Sequence, residues 1–319
     1  MESTLFFRCD CFGVIHYFDA YLCDINGKAN KVENVICLHE EDAGLLFKHT
    51  DWHSGRRETM RNRKLVISSI ATLANYEYAF YWYLFLDGKI ESEVKLTGVV
   101  SVGACETRDP KYGTLLGPNL YAPIHEHYFC YRMDFALDGV NNSVVRVDVQ
   151  AEEDDDKNPY KSAFYSKSIP LKTDFEAQGV VDTAKATYWK IINPNVLNEL
   201  GNPVGYKLMP KGNVFPYAKE GSSVMKRAGF TKKHFWATPY DADEYYAGGK
   251  FPMQNDDGDN LEKWASKGHS VENRDIVVCD VKRKTRLREN MKTMALPCII
   301  SLKLRKKIST SEQVYFSHK

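Results

Sequence analysis

At 319 residues with 43% hydrophobic content, the chain is long enough for two average domains or one large all-β domain with a substantial core. A formal net charge of +1 supplies no global field towards nucleic acid or a membrane surface, and no apolar run approaches the length of a membrane-spanning helix. The eight cysteines are scattered, with Cys9-Asp10-Cys11 the one close pair, so neither a dense disulfide framework nor a Cys-x-x-Cys zinc pattern is present.

In chain order, Leu5-Phe6-Phe7-Arg8-Cys9 reads as the inside of a strand and carries no basic leader or cleavage site. Val14 to Phe18 and Ala20 to Leu22 read as strands before Asn26-Gly27, a hairpin signal. Val35 to His39 follows and runs into Glu40-Glu41-Asp42, taken as a charged strand end in preference to a metal or base cluster. Asp51 to Arg63 is polar and basic and reads as a loop. Lys64 to Ile70 then enters Thr72-Leu73-Ala74-Asn75-Tyr76-Glu77-Tyr78, which opens an aromatic strand ended by Asp87-Gly88. Alternation puts Tyr76, Tyr78, Phe80, Trp82, Leu84 and Leu86 on one apolar face, with Tyr76 at its polar end. Composition alone makes Tyr76 a core tyrosine.

Beyond that strand, Lys89 to Leu96 alternates as a strand with one wet face does. Ala122 to Asp134 is a second strong strand, and Asn142 to Val149 is its natural partner after Asp138-Gly139. The acidic run Glu152 to Asp156 reads as a solvated loop or hairpin tip. Helix is expected only around Ala184 to Ile192 and Asn260 to Lys267, and the Gly-, Pro- and Asn-rich stretch between suggests short strands with long loops. Cys279 to Lys319 is basic without clear alternation and reads as a poorly folded tail, which divides the chain into residues 1–278 and 279–319. Its scattered charge lacks the aromatic interleaving of a nucleic-acid site.

His125 and His127 are two apart on a predicted strand, so both imidazoles project to one face within reach of a single ion. Such a pair suits copper or zinc, and it occurs equally as a structural feature of surface strands. Cys11 and Cys37 have a bridge or two free buried thiols open to them.

Several motifs agree in order and spacing. Thr72-x-x-Asn75-Tyr76-Glu77, preceded by Cys37-x-His39-Glu40-Glu41-Asp42 and followed by His125-x-His127, resembles the catalytic domain of the copper amine oxidases. Phe251-Pro252-x-Gln254, Leu261-x-x-Trp264 and Asn273-x-Asp275-Ile276-Val277 fit the same frame, over about residues 4–278. Tyr112-Gly113-Thr114 with Leu120-Tyr121-Ala122-Pro123 is similar to the peroxisomal plant branch, which points to a peroxisomal address.

The resemblance implies a large antiparallel β-sandwich, a homodimer with hairpin arms, and the acidic turn near Asp154 to Asn158 as an arm tip. It makes Tyr76 the precursor of topaquinone, formed with copper(II) and dioxygen, whose carbonyl takes a primary amine as a Schiff base. Aldehyde, ammonia and hydrogen peroxide are the products. Asn75 and Glu77 match residues that position the ring, His125 and His127 match copper ligands, and Cys11 and Cys37 match a disulfide. Asp134, the Phe135 carbonyl, Asp275 and the Ile276 carbonyl match a peripheral calcium-type site, with Ala136 where a further carboxylate is usual.

Two departures follow. The family's base is an aspartate in Phe-Asp-x-Gly-Glu-Tyr-Gly, upstream of the segment matching Cys9-Asp10-Cys11, and Phe18-Asp19 imitates only its first two letters. The third copper histidine falls near Arg286, and a guanidinium cannot replace an imidazole. The alternative expectation is therefore a catalytically inactive, truncated family member.

Overall fold

The computed structural model describes residues 13–106, 110–210, 214–251, 258–286 and 298–305. They form two compact units, one mainly of residues 13–127 and the other mainly of 128–283. Both are all-β, as expected, and among the described residues no helix is long and apolar enough to cross a membrane.

The first unit is an antiparallel meander of β1 (Ile15–Cys23), β2 (Ala29–Thr50), β3 (Arg57–Leu73), β4 (Tyr76–Phe85) and β5 (Lys89–Gly98). A small sheet of β6 (Gly103–Ala104), β7 (Gly113–Gly117) and β8 (Leu120–Pro123) follows, in the order β6-β8-β7. Asn26-Gly27 and Asp87-Gly88 turn the chain as their sequence demands, with Gly27 at φ 76° and Gly88 at φ 78°.

Several expectations are corrected here. The stretch from Lys64 through Tyr78 is not one strand but a hairpin, with Ala74 and Asn75 at its tip and Leu73 opposite Tyr76. Ala74 takes φ 54°, a region alanine seldom enters, so no residue pattern announced the turn. The basic segment before Arg63 is mostly strand, because Arg61, Arg63 and Lys64 on β3 meet Asp42, Glu40 and Glu41 on β2. Those pairs hold the register in the middle of β2, so Glu40-Glu41-Asp42, expected at a strand end, lies inside a strand that runs on to Thr50. Finally, the aromatic face of β4 is the wetter one, with Trp82 38% and Leu84 36% exposed, whereas Ala79 and Tyr83 on the other face are buried. Val35, Cys37, His39 and Val66 lie on that buried side, so small and β-branched residues make the core there.

β9 (His125–Phe135) leads into the second unit. There β10 (Ser143–Ala151), β11 (Phe164–Leu171), β13 (Tyr188–Leu197) and β14 (Pro203–Pro210) form a sheet in the order β14-β13-β10-β11, after β12 (Gln178–Gly179) is counted in the chain. The acidic run lies in the connection between β10 and β11, where Asp154 pairs with Lys161. The helix expected around Ala184 to Ile192 is instead a turn and the start of β13, because Trp189, Ile191 and Asn193 are buried with a period of two.

A short helix α1 (Ser223–Arg227), β15 (Phe235–Pro239), a single turn α2 (Leu261–Trp264) and β16 (Ile276–Arg286) follow, and β17 (Cys298–Arg305) is the last described element. Asn260 caps α2 by accepting from Lys263 N–H, so the second predicted helix exists, shortened. The second sheet has the order β12-β15-β16-β9. Trp189 from β13 stacks on Phe235 from β15 at 4.4 Å, joining the two sheets of this unit. The expected boundary at 278 falls inside β16, and Cys279 to Arg283 are buried. Their core placement was hidden because Asp280 and Lys282, on the face opposite Cys279 and Val281, are buried too and neutralise each other at 3.1 Å.

Two outcomes follow for this core. Trp189 is fully buried, so Trp189→Ala is expected to lower unfolding stability by about 3–5 kcal/mol in a denaturant titration. His234 is buried and its Nδ1 accepts from Val181 N–H; burial first, and the Lys282 charge second, push its pKa down to about 4. The unfolded chain takes up this proton near pH 6.5 and the folded chain only near 4, so the contribution is complete above 6.5 and lost as pH falls to 4. Burial pushes Asp280 up to about 6, which opposes that loss over much of the same window. Comparing wild type with His234→Gln removes the Asp280 term: the wild type's relative stability should fall by on the order of 3 kcal/mol between pH 7 and pH 4.

Candidate active site

Tyr76 is the first residue of β4, directly after the tip of the β3–β4 hairpin. Across the tip, Thr72 donates to the Glu77 carboxylate at 2.8 Å, which ties the two arms on the face opposite the Tyr76 side chain. On the other flank Gly98 sits opposite Tyr76, at φ 88°. A Cβ there would lie 2.5 Å from the Asn75 carbonyl oxygen and 3.0 Å from Tyr76 Cα. Only glycine allows this approach. The chain leaving Gly98 then bonds back, with Val99 N–H donating to the Asn75 carbonyl at 2.7 Å and Ser101 N–H to the Tyr76 phenol oxygen at 3.1 Å.

The histidine pair comes from the start of β9. Gly113 permits β7 to close on β8, since a Cβ there would meet the Ala122 carbonyl oxygen at 2.4 Å, and Ile124 N–H donates to the Tyr112 carbonyl. His125 Nδ1 lies 2.9 Å from the Pro123 carbonyl oxygen, which can only accept. The Nδ1 therefore carries the hydrogen and the neutral ring keeps its lone pair on Nε2. That lone pair faces the Tyr76 hydroxyl at 3.1 Å. The phenol thus accepts from Ser101 and donates to His125.

One residue pair further along, the arrangement repeats. Tyr78 Oη lies 3.1 Å from His127 Nδ1. Two phenols with a period of two on β4 meet two imidazoles with the same period on β9. The imidazole centroids are 4.8 Å apart, and the Tyr76 ring is 5.6 Å from His125 and 5.5 Å from His127. The predicted gathering of Tyr76, His125 and His127 is thus observed, with Asn75 and Glu77 supporting it from the hairpin. Tyr78 and Ser101 were missed. Tyr78 had a readable signal, because Tyr-x-Tyr matches His-x-His in period; Ser101 enters through its backbone amide and left none.

The other predicted residues lie elsewhere. Cys37 is disulfide-bonded and buried, while Cys11 lies outside the described residues, as do Pro252 and Gln254. Asp134 and Phe135 end β9, and Asp275 and Ile276 begin or precede the neighbouring β16. Asp19 is held by Lys31 at 2.9 Å and by Asn34 N–H at an irregularity of β1, and the Lys31 hydrogen bond keeps its carboxyl below the usual range. It has a structural task there. His39 is buried between Cys37 Sγ and Glu41, within β2.

The donor set at Tyr76 fits copper. A histidine that gives its second N–H to a backbone carbonyl and aims Nε2 outward has the usual form of a metal ligand, and imidazole suits copper. Among the described residues no group of three or more His, Cys, Asp or Glu side chains is placed to hold a metal ion, at Tyr76 or elsewhere.

The family model for the copper amine oxidase enzyme domain matches residues 1–280. The peroxisomal copper-containing diamine oxidase 1 of Nicotiana tabacum is 43% identical over 276 residues, covering 85% of this chain and 35% of that protein. The primary amine oxidase of Arthrobacter sp. (strain P1) is 44% identical over 281 residues, 87% of this chain and 43% of that protein. The crystal structure of a copper-containing benzylamine oxidase from Hansenula polymorpha superposes with a TM-score of 0.88 at 32% identity, over 95% of this chain and 48% of that one. The chain spans less than half the length of each of these relatives. With the family model matched over most of its length, this chain belongs to the copper amine oxidases.

Proposed function

We propose that this chain serves the oxidation of primary amines by dioxygen to aldehyde, ammonia and hydrogen peroxide, with Tyr76 as the precursor of topaquinone. The observation that supports this best is the Tyr76 hydroxyl at 3.1 Å from His125 Nε2, with the His127 ring beside it. A phenol must lie against the metal to become its target, and a core tyrosine needs no such company. His125 Nε2 and the His127 ring would hold copper. The bound metal with dioxygen supplies the oxidation of the phenol ring, and the resulting quinone supplies an electrophilic carbonyl to the amine.

The chain's own groups do the positioning. The Pro123 carbonyl fixes the His125 tautomer, and Tyr78 orients His127. Ser101 N–H and His125 hold the phenol oxygen from two sides. The phenol proton and copper compete for one lone pair, so Tyr76 and the metal are coupled before any chemistry.

Peroxisomal residence and homodimeric assembly belong to the same proposal; the first is supported by the similarity to the peroxisomal tobacco diamine oxidase. Asp134 and Asp275 contribute two hard oxygens towards a calcium-type site, with the carbonyls of Phe135 and Ile276. Ala136 adds no carboxylate, so any such site is weak.

Purified protein given copper(II) and dioxygen should develop quinone absorbance and stain by redox cycling. Absence of both from the copper-loaded wild type overturns this reading and leaves an inactive family member. In Tyr76→Phe, copper binding should persist while quinone absorbance and amine turnover fall to background. Tyr78→Phe should instead weaken copper by about 10- to 100-fold in competition with a chelator, because His127 loses its orienting partner.

A further inference from the structure

β9 and β16 are neighbours in one sheet of the second unit, and each brings a cysteine to the other. Cys130 and Cys279 share a side-chain hydrogen bond, and both are free thiols. The two side chains meet across adjacent strands, and a disulfide needs its two sulfurs brought together in this way.

The pair has an apolar side and an open side. Cys279 is 6% exposed within a cluster that includes Trp236, Trp264 and Val281, and Cys130 packs against that cluster. Both residues also line a cavity of about 430 Å³, whose wall includes Arg132, Tyr245, Tyr246 and Gly248. A water molecule's share of liquid volume is about 30 Å³, so a molecule as small as hydrogen peroxide fits this space easily. The hydrogen bond with Cys279, burial and the nearby Asp280 hold the Cys130 thiol well above its ordinary pKa, so this pair oxidises more slowly than an exposed thiolate would. Among the described residues, Cys23 and Cys105 are on separate segments of the first unit.

We propose that Cys130 and Cys279 are a redox-active dithiol that hydrogen peroxide converts to a disulfide between β9 and β16. One thiolate sulfur attacks a peroxide oxygen, the O–O bond breaks, and the departing hydroxide leaves as water with the thiol's proton. The sulfenic acid so formed is attacked by the second sulfur; the S–S bond forms, the S–O bond breaks, and a second water departs with the second proton. Two thiols and one peroxide become one disulfide and two waters, with two electrons passing from sulfur to oxygen. Cys130 stands three residues after His127 on the same strand, so the link would fasten the strand bearing the histidine pair to its neighbour. Response to the chain's own turnover rests on the amine-oxidation reading above; the dithiol chemistry does not.

The test therefore uses added peroxide and the full chain without amine. After treatment, remaining thiols are alkylated under denaturing conditions and unreduced peptides are mapped by mass spectrometry. The expected result is a Cys130–Cys279 linked peptide, lighter by two hydrogens than the two thiol peptides and released by dithiothreitol. Cys23 from the same sample should carry the alkyl group or a single-residue oxidation. Recovery of Cys130 and Cys279 as separate alkylated, sulfinic or sulfonic peptides overturns the proposal. In Cys279→Ser, Cys130 should be trapped by a sulfenic-acid reagent and yield no dithiothreitol-reversible link; a reversible link from Cys130 to another cysteine would overturn the assigned pairing.

Discussion

The site depends on how closely the end of β5 can approach the start of β4. Gly98 and Tyr76 face each other with no room for a side chain at 98, and the backbone beyond Gly98 folds back to bond Asn75 and the Tyr76 phenol. A methyl group at Gly98 would push against the Asn75 carbonyl and Tyr76 Cα, which are backbone and cannot swing aside. The tyrosine's place is therefore set by main chain on both flanks, by the hairpin tip before it and the glycine beside it. Rigid strands hold a side chain to finer tolerance than a loop does.

The same logic of period two builds the histidine face. Side chains two apart on β4 and two apart on β9 meet as two phenol–imidazole pairs, so one strand pairing orients four rings at once. Each imidazole has one nitrogen engaged by a hydrogen bond whose partner is part of the scaffold.

β9 also connects this face to a different kind of chemistry. A few residues along it, Cys130 meets Cys279 on β16, and next to Cys279 the strand buries Asp280 and Lys282 as a pair. An apolar pair of similar size would pack there without the desolvation of two charges, so these residues weaken rather than strengthen the case for a core built on burial alone. They remain in place because each neutralises the other, and because Trp189 and Phe235 supply the apolar contact between the two sheets of this unit.

The sequence by itself determined the fold class, the strands with clear alternation, the Asn26-Gly27 and Asp87-Gly88 turns, and the identity of Tyr76, His125 and His127 as a constellation. These are local or periodic features, and periodicity survives without knowledge of partners. Tertiary structure alone decided the rest. The turn at Ala74-Asn75 was invisible because alanine's φ of 54° is imposed by pairing and not by preference. The basic segment before Lys64 became strand because acidic partners on β2 lay across from it. Trp82 proved more exposed than Tyr83 because a strand's two faces are chemically alike here and only packing chooses between them. The burial of Asp280 and Lys282 likewise had no sequence signal, since a charge is tolerable inside only when its partner is close, and closeness is a property of the folded chain.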